Sequence, residues 1–108
     1  MAKKVLGQSN PSATTVTTLY TVPASKEAVV SSISVCNLAS SSATYRIAIR
    51  PAGATLANQH YLAYDVTVGA ADTTIITVGI TLATTDVITV YASTANLAFS
   101  AFGDEATA

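Results

Sequence analysis

The stretch Thr44-Tyr45-Arg46-Ile47-Ala48-Ile49-Arg50 decides the fold class, because Tyr45, Ile47 and Ile49 alternate with Thr44, Arg46, Ala48 and Arg50. A period of two puts the three large apolar side chains on one face of a β-strand, whereas a helix would scatter them around its axis. One face is expected to be buried and the other wet.

The same period continues downstream from Gln59 to Val68, where His60, Leu62, Tyr64, Val66 and Val68 are expected to share an apolar face opposite Tyr61, Ala63, Asp65 and Thr67. Further strands are expected at Thr73 to Ile80, Val87 to Ala92 and Asn96 to Phe102, the last with Leu97, Phe99 and Ala101 on one side. Upstream, Thr15 to Val22 and Glu27 to Leu38 read as strands, and Lys4 to Gly7 as a short edge strand. Each run is bounded by Gly, Pro, Ser, Asn or Asp at the spacing of a sandwich or barrel.

The links Pro23 to Lys26, Ala39 to Ala43, Gly69 to Asp72, Ala83 to Thr85 and Ser93 to Ala95 are too short for parallel crossovers. They imply antiparallel neighbours or jumps between facing sheets. Pro51 to Asn58 is longer: its Ala54 to Ala57 segment could form one helical turn, and otherwise it is a loop. The expected fold is all-β: a single antiparallel β-sandwich, jelly-roll or immunoglobulin-like, of about seven or eight strands. It would occupy residues 13–103, with 1–12 as an N-terminal arm or edge strand and 104–108 as a C-terminal tail. No Cys-Trp-Cys spacing marks an immunoglobulin domain.

The chain has 108 residues, the size of one domain, and only 10% of them are charged, against about 25% in an average soluble protein. Five basic and six acidic side chains give a net charge of −1, so no basic field exists to attract nucleic acid or an anionic membrane surface. Apolar runs are of strand length and too short to span a bilayer. Val5 and Leu6 are followed at once by Gly7-Gln8-Ser9-Asn10-Pro11, which lacks the apolar stretch of a secretory signal. Synthesis in the cytoplasm as a soluble protein is the expectation.

No catalytic, cofactor or metal site is expected, and the chain is read as a non-enzyme. Cys36 is the sole cysteine and reads as a small buried strand residue. His60 is the sole histidine, with no partner type for a zinc site or a histidine-based nucleophile pair. Asp72 and Asp86 each precede an apolar strand, where a carboxylate caps a turn. Asp65 sits on a wet face, and Asp104 and Glu105 in the polar tail; a carboxylate pair among Asp65, Asp72 and Asp86 would be needed for an enzyme. Gly7, Gly53, Gly69, Gly79 and Gly103 are dispersed and form no phosphate-binding loop, and no serine lies in a Gly-x-Ser-x-Gly elbow. Tyr61 and Tyr64 are expected on opposite faces. An exposed Tyr61 beside the Pro51 to Asn58 loop would suit a sugar or a protein surface.

Long Thr-rich strands without charge, such as Thr73 to Ile80 and Val87 to Ala92, are poorly defended against edge-to-edge association. They predict a homo-oligomer that covers its own edges, a trimer ahead of a dimer, with closed symmetry.

Thr18-Leu19-Tyr20-Thr21-Val22-Pro23-Ala24, followed by Val29-Val30-Ser31-Ser32-Ile33-Ser34-Val35-Cys36-Asn37, resembles segments of small virion proteins of tailed bacteriophages. Gln59-His60-Tyr61-Leu62-Ala63-Tyr64-Asp65 and Ala92-Ser93-Thr94-Ala95-Asn96-Leu97 are similar to segments of the same group. The resemblance implies a β-sandwich virion component. A capsid decoration (cement) protein contacting the major capsid protein is the first expectation; a tail or baseplate component, or a host-receptor or glycan-binding module, is the second.

Overall fold

The computed structural model describes residues 2–108. It contains eight strands: β1 (Ala2–Ser9), β2 (Thr17–Thr21), β3 (Lys26–Asn37), β4 (Ala43–Arg50), β5 (Tyr61–Val68), β6 (Thr73–Leu82), β7 (Val87–Ala92) and β8 (Leu97–Thr107). Two four-stranded antiparallel sheets face each other, ordered β1-β8-β3-β6 and β2-β7-β4-β5. The expected β-sandwich is therefore present.

Strand β1 pairs with β8, β2 with β7, β3 with β6 and β4 with β5. This is one long hairpin wrapped on itself, the arrangement of a jelly roll rather than an immunoglobulin domain. Every link except the one between β4 and β5 passes from one sheet to the other. The short connections are thus mostly jumps between sheets.

The core lies between the sheets. Tyr45 of β4 meets Phe99 of β8 edge to face, with ring centroids 6.2 Å apart. Val30, Ile33, Val35, Ile47, Ile88 and Leu97 fill the space around them and are almost wholly buried. Burial of each such side chain contributes about 1.5 to 3 kcal/mol. One polar side chain joins them: Asn37, at the end of β3, donates to the carbonyls of Ser41, Val68 and Gly69 and accepts the Ala39 N–H. It ties the β3–β4 and β5–β6 links together where no strand ladder reaches.

Several expectations change. The last strand runs to Thr107, so residues 104–108 are not a free tail; Glu105 pairs with Ala28 across the ladder. The N-terminal segment is an edge strand as far as Ser9, and Met1 lies outside the described residues. Ala54 to Ala57 takes the loop alternative rather than the helical turn, flanked by two 3-10 turns, Pro51–Gly53 and Asn58–His60. Cys36 is half-buried on the outer face of its sheet, and the neighbouring buried position belongs to Asn37.

The largest change concerns β5. Tyr45 pairs with Val66, Ile47 with Ala63, and Ala48 with Tyr61, so β5 carries an extra residue on each side of Ala63. Asp65 adopts a φ of 53° to make one of these bulges. Each extra residue reverses the alternation. Ala63 packs on the core, while Leu62 and Tyr64 are more than half exposed and do not form the expected buried face.

Candidate functional site

The outer face of the β1-β8-β3-β6 sheet has an ordered composition that follows from the register. Across it run the rows Val5, Phe102, Ser32, Thr77 and then Gln8, Ser100, Ser34, Ile75, with Ala98, Cys36 and Thr73 beyond. None of these residues is charged. Lys3, Lys4, Lys26, Glu27, Asp104 and Glu105 all lie beyond the bulges at one end of the sheet, and the remaining charges belong to turns or to the opposite sheet.

The rim of this face is equally bare. Strand β6 is the edge, ten residues long with no charge, and Ile75 is 67% exposed on it. A bulge at Gly79, with φ of 61°, disturbs only its far half. Between β6 and the edge strand β5 the sandwich opens as a groove of about 320 Å³ lined by Ile33, Ile47, Leu62, Ala63, Ile76 and Val78, among others.

The outer face of the β2-β7-β4-β5 sheet is different. Arg46 of β4 lies between Tyr64 of β5 and Tyr91 of β7, its guanidinium carbon 4.1 and 4.3 Å from the two ring centroids. Its Nε and Nη2 donate to both carboxylate oxygens of Asp65 at 2.7 and 3.3 Å, an arrangement open to arginine and not to lysine. The Asp65 carboxylate holds the Arg46 proton more tightly than usual. Tyr61 stands edge to face with Tyr64 at 5.0 Å, the ring planes 87° apart. The two tyrosines expected on opposite faces share one face, because the extra residue at Leu62, between the Ala63 and Tyr61 pairings, supplies the single reversal that a three-residue separation needs.

The segment between β4 and β5 folds back over this sheet and is pinned there. Arg50 donates to Thr89 Oγ1 and to the carbonyls of Gly53 and Ala54, and Ala52 N–H donates to Asp86. The segment therefore covers Ala48, which is buried despite lying on the outward side. At its end, His60 accepts the Ala57 N–H on Nδ1. The histidine closes a turn rather than extending a strand. Asn58, Tyr61 and Tyr64 together line an open depression of about 340 Å³.

The acidic residues are dispersed. Asp72 caps the amide of Thr73 and Asp86 that of Ala83, as turn chemistry predicts. Glu105 is not in a solvated tail: it accepts hydrogen bonds from Tyr20 at 2.6 Å and Lys4 at 3.1 Å. These bonds, that from Tyr20 first, lower its pKa below the ordinary carboxylate value. Among the described residues no three His, Cys, Asp or Glu side chains group as metal ligands, and no helix is long and apolar enough to cross a membrane. Sequence reasoning placed Arg46 and Asp65 on wet faces but missed their convergence with three tyrosines.

Comparison with known proteins returned no matching family model, curated protein or solved structure.

Proposed function

We propose that this chain is a non-enzymatic structural protein of a bacteriophage virion, a capsid decoration (cement) protein that stabilises the capsid as a symmetric homo-oligomer. It is made in the host cytoplasm and functions in the particle. The observation that carries this reading is the uncharged stretch of the outer face of the β1-β8-β3-β6 sheet, from the Val5–Thr77 row to the Ala98–Thr73 row, continuous with the uncharged edge β6. In a chain so poor in charge, the eleven charged side chains are all kept off those rows, and the ones the sheet does carry, such as Lys3 and Asp104 in the row of Val29, are gathered at one end.

Burying such a face desolvates no ion, and Ser, Thr and Ala lose little rotamer freedom when they are covered. A free, uncharged edge strand, regular from Thr73 to Thr77, is complementary to another copy of itself, since backbone pairing meets no like charge. Copies of this chain are the first partner, in a trimer ahead of a dimer, and the major capsid protein the second. Contacts repeated by symmetry add as avidity.

Imaging of particles assembled with and without the protein tests the assignment: density is expected to disappear from the capsid surface. Loss from the tail would support a tail or baseplate component instead, and unchanged particles would overturn the virion assignment. Sedimentation of the purified protein is expected to give a closed oligomer, and a strict monomer would remove the edge-pairing basis.

A further inference from the structure

We propose that the corner between Tyr61 and Tyr64, on the sheet face opposite the uncharged one, binds a neutral carbohydrate. Three observations carry it. The rings stand at 87° with centroids 5.0 Å apart and Tyr64 is 56% exposed, so apolar ring surface lies open to solvent beside polar groups. The depression they form with Asn58 is about 340 Å³, within the size range of small-ligand sites. The corner is also held in advance: Arg46 stacks on Tyr64 and is itself fixed by Asp65 and Tyr91.

The charge balance selects the ligand class. Among the described residues the cation that touches the corner, Arg46, is engaged by both Asp65 oxygens, and Arg50 on the same sheet face is spent on Thr89 and the Gly53 and Ala54 carbonyls, so no free charge is aimed at the two rings. Anionic sugars and nucleic-acid phosphates find no counter-charge, and single-strand readers need a basic groove that this chain lacks. A pyranose matches what is present. Its C–H face packs against a tyrosine ring, and its hydroxyls meet the Asn58 amide and the tyrosine hydroxyls, which both donate and accept.

The site lies on the opposite sheet from the surface assigned to assembly, so the two stand or fall separately. A symmetric oligomer joined through the uncharged face would display one such corner per subunit, and multivalent glycans would be bound more tightly than single sugars.

A glycan array carrying neutral and anionic oligosaccharides, probed with the purified full chain, tests the proposal. Binding to neutral hexose-containing glycans is expected, weakened about tenfold or more by Tyr64→Ala, as loss of one ring contact implies. The exposed-loop variant Asn58→Ala should also weaken binding, without disturbing the fold by circular dichroism. Ser12→Ala, in the exposed link between β1 and β2 and outside both surfaces, should leave binding intact. Absence of any neutral glycan signal, exclusive binding of anionic glycans, or binding insensitive to both Tyr64→Ala and Asn58→Ala would overturn it. So would NMR shifts of the Tyr61 and Tyr64 ring signals with a proline-rich peptide but not with the array's neutral oligosaccharides.

Discussion

The Tyr20 hydroxyl, on β2 of one sheet, donates a 2.6 Å hydrogen bond to Oε2 of Glu105, on β8 of the other. Lys4 of β1 donates to the remaining oxygen, Oε1, at 3.1 Å. Three strands from both sheets thus meet at one carboxylate. Burial raises the Tyr20 pKa above its usual value, with the Glu105 bond adding to it, while the Tyr20 and Lys4 bonds lower that of Glu105.

A depressed carboxylate stabilises the fold above its unfolded pKa, about 4.3, and that contribution is lost as pH falls through the folded value. Thermal midpoints should therefore drop on acidification below about pH 4.3, and Glu105→Gln should flatten part of that drop. The raised Tyr20 acts in the opposite sense: its contribution is complete below about pH 10 and lost as pH rises further. Tyr20→Phe should reduce the alkaline loss. Calorimetric scans across pH check both signs.

Gly103 sits where β8 passes the bulge in β3, and a Cβ there would overlap the Val29 carbonyl oxygen. Gly103→Ala should cost about 1 to 3 kcal/mol or more, the range for overpacking that must be relieved by backbone movement. Gly69→Ala meets only ordinary contacts with Asp72 and should cost under about 1 kcal/mol. Urea denaturation of the pair separates a close backbone approach from the general effect of adding a methyl.

Asn37→Leu removes the amide that serves Ser41, Val68 and Gly69 while keeping the same branched four-atom outline, though with a bulkier side chain. The buried Val68 carbonyl is then left short of a partner, and the Ala39 N–H loses its acceptor. A loss of about 3 kcal/mol is expected, and Asn37→Asp, which keeps only the acceptor, should lose a comparable amount. Chemical denaturation measures both. A near-neutral Leu variant would mean the loops hold without the amide.

Ile75→Lys places a charge on the exposed edge strand and the uncharged face at once. It should shift the protein towards monomer in sedimentation experiments while leaving the far-ultraviolet circular dichroism unchanged, because Ile75 is 67% exposed and contributes little to the core. Ser34→Lys, in the same row of the face, should act in the same direction. Oligomers unaffected by either change would place the subunit contact elsewhere.

The strand content was legible in the chain because alternation is a local property: Tyr45 and Ile47, or Leu97 and Phe99, announce a buried face through their spacing alone. The scarcity of charge was legible too, and with it the expectation of covered edges. The order of strands was not, since short links serve a hairpin and a jump between sheets equally well; the pairing of each strand with its distant counterpart chose the jelly roll.

The face occupied by each β5 side chain lay beyond the sequence for a further reason. Bulges are set by how β5 must bend against β4, and each one reverses every side chain after it. Leu62 and Tyr64 thereby left the expected core, and Tyr61, Tyr64, Arg46 and Tyr91, from three strands, came together. Glu105 likewise read as part of a polar tail until β8 carried it to Tyr20. Composition and period determined that this protein is a charge-poor β-sandwich, because they act within a strand; only the tertiary structure decided which residues meet, because register and bulges depend on contacts between strands far apart in the chain.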